Sequence, residues 1–128
     1  MQKFVPIFQD IIASKSLECE ELRDSSDGLM VTLRNENGLK LTVRFQEHLS
    51  YRLLDEGDAL VAIDQLEQSG CKGQRLYQVD NSEFIEWFHK QSYGIRSDDQ
   101  ICHYAIFASN DVIDVIAFDL PVLTWEPN

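Results

Sequence analysis

Three cysteines and three histidines are the first residues to weigh for chemistry. Nucleophilic catalysis needs a thiol or hydroxyl within reach of a histidine that an acid holds in place. Cys19, Cys71 and Cys102, with His48, His89 and His103, supply the types, but no local signature joins them. Cys71 precedes Lys72 in a glycine-flanked loop, where a neighbouring cation lowers a thiol's pKa. Without a triad spacing it reads as a plain loop thiol. Cys102 falls in an apolar stretch and reads as a small core residue. Glu86 and His89 form an E-x-x-H, half of a di-iron pattern, but no second such helix follows. Cys102 and His103 are neighbours on an expected strand and so point to opposite faces. The residues imply neither a metal nor a cofactor.

Carboxylates are more plentiful. Asp55, Glu56 and Asp58 precede an expected helix, Asp98 and Asp99 adjoin in a loop, and Asp111 and Asp114 lie close together. Acids at a helix start ordinarily complement the macrodipole from solvent. Asp114 differs, because it interrupts an otherwise apolar run. A buried acid persists only when hydrogen-bonded, so its partner should be a backbone group, His103 or Tyr104. A structural role outweighs a catalytic one there.

The elements that must position these residues follow from periodicity. Phe4, Val5, Phe8, Ile11 and Ile12 recur at helical spacing with Pro6 in the first turn, predicting a helix that ends near Ser14. The alternation in Leu17–Leu22 is broken, which predicts a frayed edge segment at best. Leu29, Val31 and Leu33 alternate with Met30, Thr32 and Arg34, and Leu39, Leu41, Val43 and Phe45 with Lys40, Thr42 and Arg44, about Asn35-Glu36-Asn37-Gly38. A type I turn with Gly38 in the left-handed position sets Leu33 opposite Leu41 and Val31 opposite Val43, leaving one face wholly apolar. Leu49, Tyr51 and Leu53 continue as a third strand, with Ser50 and Arg52 on its other face.

A helix carrying Ala59, Leu60, Ile63 and Leu66 on one side should stop at Gly70. Arg75–Val79 reads as a strand. Ser82 should cap a second helix with Phe84, Ile85, Trp87 and Phe88 in one stripe and a Glu86–Lys90 pair, closed by Gly94. Ile101–Ala108 and Val112–Phe118 form a second hairpin. Pro121 and Pro127 confine Val122–Trp125 to an edge strand or an arm. The expected fold class is α+β: one globular domain over 1–128, with an antiparallel sheet of about five strands and helices packed on one face.

Charge bounds the partners. The 128 residues hold 22 Asp+Glu against 11 Lys+Arg, a formal net charge of −11. Such a field repels nucleic acid and anionic membrane and attracts basic macromolecules. One sheet face could gather Arg34, Lys40, Arg44 and Arg52 beside Thr32 and Thr42, a strip able to hold phosphate. It lacks an interleaved aromatic for stacking, and the global charge opposes it. The N-terminus carries no secretory apolar region, the longest apolar runs are a few residues, and three widely spaced cysteines do not suit a disulfide framework. A cytoplasmic protein is expected.

From Tyr51 onward, Tyr51–Asp58, Asn81–Phe88, His103-Tyr104 and Asp114-Val115 resemble a family of small bacterial proteins, some of them similar to immunity proteins found beside polymorphic or contact-dependent toxins. The resemblance implies a bacterial cytoplasmic setting, no known active site and no catalytic residues. The functional expectation is an acidic protein that binds and neutralises a basic toxin domain, a nuclease foremost, through Asp55, Glu56, Asp58, Asp98 and Asp99. The rival expectations are a small cytosolic hydrolase, built on Cys71 or on a pocket joining Asp114, His103 and Tyr104, and an accessory module without activity.

Overall fold

A computed structural model describes residues 2–10, 12, 14, 16–70 and 73–126. Its framework begins with the Asn35–Gly38 turn. Asn35 N–H donates to the Leu39 carbonyl at 2.9 Å, and Gly38 takes φ +80°. This closes β3 (Gly28–Asn35) onto β4 (Lys40–Phe45), with Leu33 opposite Leu41 and Val31 opposite Val43. Leu29, Val31, Leu33, Leu41, Val43 and Phe45 are all buried in one cluster.

The protein is α+β, mostly sheet, with two helices and nine strands among the described residues. The strands are β1 (Lys3–Pro6), β2 (Leu17–Ser25), β3, β4, β5 (His48–Asp55), β6 (Leu76–Asp80), β7 (Cys102–Phe107), β8 (Asp111–Ala117) and β9 (Val122–Glu126). Helix α1 (Leu60–Ser69) follows β5, and α2 (Glu83–Gln91) follows β6. The strands form two antiparallel sheets, one ordered β1-β6-β7-β8-β5 and the other β2-β3-β4-β9. Their facing sides share a core: Leu17, Val31, Leu41 and Phe45 from the smaller sheet meet Leu76, Tyr104, Ile106, Ile113 and Val115 from the larger. The opposite face of the larger sheet carries Phe4, Tyr77, Val79, Ala105, Phe107 and Val112 against Ala59 and Leu66 of the α1 region. The layers are thus helix, five strands, four strands.

Several expectations are corrected. Phe4 lies in a strand, not a helix, paired with Val79. Its apolar neighbours at helical spacing serve two different cores: Phe4 packs with Tyr77 and Phe107, while Phe8 and Ile12 join the inter-sheet cluster. Phe8 at φ +56° cannot continue a right-handed helix. Ile11 lies outside the described residues. Leu17–Leu22 belongs to a full edge strand. Its broken alternation is a register shift between Cys19 and Glu21, so one extra residue reverses the faces. Strand β5 does not extend the first hairpin; it crosses to the other sheet and pairs with β8, while the free side of β4 takes β9. Arg52 therefore leaves the Arg34–Lys40–Arg44 strip.

Ala59 at the N-cap of α1 and Leu66 within it are buried, but Leu60 is 62% exposed. The first turn of that helix holds no acid. Asp55 instead closes the preceding turn, its Oδ1 accepting from Gly57 N–H at 2.8 Å and its carbonyl from Asp58 N–H at 2.9 Å. Gly70 ends α1 in the left-handed conformation, and Ser82 caps α2 by accepting from Ile85 N–H. No helix among the described residues is long and apolar enough to cross a membrane.

Two substitutions test this packing. Leu41→Ala should cost about 2–5 kcal/mol in chemical denaturation, while Thr42→Ala on the other face stays within about 0.5 kcal/mol. Gly28 has φ +108°, and a Cβ there would lie 2.5 Å from the Phe45 carbonyl oxygen. Gly28→Ala should therefore lower the denaturation midpoint by at least as much as a left-handed strain of about 1–3 kcal/mol.

Candidate functional site

Strands β7 and β8 occupy the middle of the five-stranded sheet and are covered on both sides. Alternation sends Tyr104 and Ile106 to the inter-sheet core and His103, Ala105 and Phe107 toward the helices. Cys102 packs against the inter-sheet core, so Cys102 and His103 do face opposite ways. On β8, Asp114 stands on the helix side, in register with Ala105 and with Arg52 of β5. Helix α2 lies over this region with Phe84 edge-on to the His103 ring at 5.4 Å.

These elements assemble one polar chain inside an apolar setting. Ser82 Oγ lies 2.7 Å from His103 Nδ1, and His103 Nε2 lies 2.6 Å from Asp114 Oδ1. Arg52 Nε donates to Asp114 Oδ2 at 2.9 Å, and its guanidinium rests 4.3 Å above the Phe84 ring. His103 is 2% exposed and Asp114 6%. Burial pushes the Asp114 carboxyl up, but the hydrogen bond and charge of His103, with the charge and hydrogen bond of Arg52, outweigh it and hold the carboxyl below its ordinary range. Ser82 has two lone pairs and one proton. It accepts from Ile85 N–H at 3.0 Å and can also accept from, or donate to, His103 Nδ1.

The order serine, histidine, aspartate is that of a nucleophilic triad, and a depression of about 680 Å³ lined by Gln2, Asn81, Ser82, Glu83, Glu86 and His89 opens at the serine. Ser82, however, is already the helix cap, and Arg52 neutralises the aspartate. Tyr104 lies on the other face of β7 beside Phe45, with its hydroxyl pushed up by burial and the nearby Cys102 and Asp119, so the expected pocket joining Asp114, His103 and Tyr104 is not formed. Cys71 and Lys72 lie outside the described residues. The half-buried Cys19 thiol is pushed up by burial and by Asp111, which makes it a poor nucleophile. Glu86 pairs with Lys90 at 3.6 Å. Among the described residues no group of three or more His, Cys, Asp or Glu is arranged to hold a metal ion.

The acids expected to bind a partner are placed at two separate sites. Asp55, Glu56 and Asp58 are exposed where β5 passes toward α1, and Asp55 stands opposite Asp111 in the sheet register. Asp98 and Asp99 are exposed in the segment leading to Cys102, which pairs with Ala117 at the other end of β8. Asp99 is held by Arg96 at 3.3 Å. Sequence reasoning named Asp114 and His103 but missed Arg52 as the counter-ion and Ser82 as the second partner of His103. Ser82 was legible only as a cap.

Comparison of the chain with protein-family models, curated proteins and solved structures finds no match. The functional reading therefore rests on the surface and the site themselves.

Two variants test the polar chain. Ser82→Ala removes a cap and one partner of His103 and should cost about 1–3 kcal/mol. The pH dependence has a definite sign. A carboxyl depressed in the folded state adds stability that is complete above its unfolded pKa and is lost as pH falls through the folded value. Wild-type stability should therefore decline below about pH 4. Asp114→Asn should be less stable at neutral pH with a shallower acid limb, measured by urea titration across pH.

Proposed function

We propose that this is a binding protein of the immunity type, which captures and neutralises a basic protein domain, a nuclease toxin domain foremost, in the bacterial cytoplasm. The observation that carries the reading is the acidic corner where β5 and β8 end. Asp55, Glu56 and Asp58 are exposed there beside half-exposed Asp111, and no ion pair among the described residues engages these four. The cations of the smaller sheet lie elsewhere, and two are spoken for: Arg34 binds Glu20 at 2.8 Å and Lys40 lies 3.7 Å from Glu126. Unpaired carboxylates on a molecule of net charge −11 steer a cationic cleft inward and supply counter-charges once it docks. Asp98 and Asp99 form a second, weaker contact region at the far end of the sheet.

The test is association kinetics with the toxin domain encoded beside the gene, across a salt series. The wild-type on-rate should fall as salt rises, because screening shortens the field to about 8 Å at physiological strength. Reversing Asp55, Glu56 and Asp58 to Lys should slow association by about tenfold or more and flatten the salt dependence, with the thermal midpoint nearly unchanged. Arg44→Glu should leave capture intact. Salt-independent association would remove the electrostatic mechanism.

The Ser82–His103–Asp114 geometry favours a second reading, a serine hydrolase opening into the Ser82 depression. A fluorophosphonate probe separates the two. Labelling at Ser82 that is lost in Ser82→Ala would establish the hydrolase, whereas the binding reading expects no covalent adduct.

A further inference from the structure

We propose that two copies of this chain associate through β5, joining their five-stranded sheets into one continuous sheet across a two-fold axis. The inference begins with the four sheet edges. An open edge invites another strand, and folded proteins guard against it with shortness, proline, charge or a bulge. β1 has four residues and ends on Pro6, which has no N–H. β2 carries Glu18, Glu20, Glu21, Arg23 and Asp24 and a register break. β9 is five residues entered from Pro121 and closing on Glu126. β5 is the exception. It is eight residues long, and beyond its irregularity near Ser50 it runs regularly through Tyr51, Leu53 and Leu54, which are all exposed, Leu53 at 45%.

The backbone groups there point outward. Glu56 N–H donates to the Asn110 carbonyl at 2.9 Å, which fixes the phase of the ladder with β8. Residues 52 and 54 then turn their N–H and C=O toward β8, and Tyr51, Leu53 and Asp55 turn theirs to the free edge. Beside that edge, Trp87 of α2 is 49% exposed and stacks on Phe84, forming a groove with Ser50, Tyr51 and Arg52.

A second copy suits this edge better than a chain of opposite charge. Each molecule carries −11, so copies repel wherever acids face each other. From Tyr51 to Leu54 the strand holds no acid, and the first is Asp55 at its end. Antiparallel registers that keep both sheet faces continuous place a residue on the axis, and Tyr51, Arg52 and Leu53 lie within the regular open stretch. With Arg52 there, two guanidiniums meet; with Tyr51, Asp55 meets Glu47. With Leu53 on the axis, Leu53 faces its own copy, Tyr51 faces Asp55 and Arg52 faces Leu54. That register opposes no like charges and covers the exposed Leu53 and Leu54. It stands independently of any basic partner.

Light scattering on a sizing column tests it, over micromolar to millimolar loading and two salt concentrations. The wild type should rise from 14.8 kDa toward twice that mass, and further at higher salt, the opposite trend to capture of a basic domain. Leu53→Pro removes only an outward N–H and should remain at the monomer mass with an unchanged thermal midpoint. Leu53→Lys, which keeps the backbone donor, carries the same expectation if the proline variant loses its near-UV signal. A wild type that stays monomeric at every concentration overturns the proposal, as does a folded Leu53→Pro or Leu53→Lys that still doubles its mass.

Discussion

One buried carboxylate constrains much of the molecule. Asp114 sits where both faces of the sheet are covered, and an unpaired charge there would cost more than the surrounding apolar contacts return. Its partners come from three other elements: His103 from β7, Arg52 from β5 and, through His103, Ser82 at the start of α2. Satisfying it fixes the edge strand beside β8, the helix above the sheet and the orientation of a histidine ring at once. The apolar contacts of α2 use the same geometry, since Phe84 meets both the His103 ring and the Arg52 guanidinium. Polar pairing and packing are here one arrangement seen from two sides.

What could be read from the chain was local. The first hairpin was legible because its turn and its alternating residues are contiguous, and one register alone keeps Leu33 and Leu41 on the same face. Asp114 was legible as a residue in need of a partner, because a charge within an apolar run has few ways to persist. The destination of β5 was not. Leu49, Tyr51 and Leu53 alternate identically whichever sheet receives them, and only the occupation of β4 by β9 decides the matter. The same holds for Phe4, whose spacing with Phe8 and Ile12 mimics a helix although the three serve opposite sides of the larger sheet. Arg52 looked like part of a basic strip for the same reason: its neighbour in sequence is not its neighbour in space.

The surface divides its work by charge. On the smaller sheet Arg34 and Lys40 are engaged by Glu20 and Glu126, whereas the acids beyond Leu54 are left to solvent. Between these regions the β5 edge is nearly neutral and apolar. A like molecule meets least repulsion along such a strip, and an oppositely charged one feels most attraction at the acidic corner. The two surfaces adjoin at Asp55 without coinciding.

The closing strand β9 bears on how the chain reaches this state during synthesis. Leu41 emerges from the ribosome long before Trp125, its register partner, and Phe4 long before Val79. The first hairpin can form while short, yet one flank of β4 stays uncovered until β9 has been made. Pairings of this span pay loop-closure entropy before they return any contact, and folds dominated by them fold slowly. Until then the nascent chain exposes a flank that the folded sheet conceals, and the interval in which it is vulnerable to stray strand pairing ends only when β9 arrives.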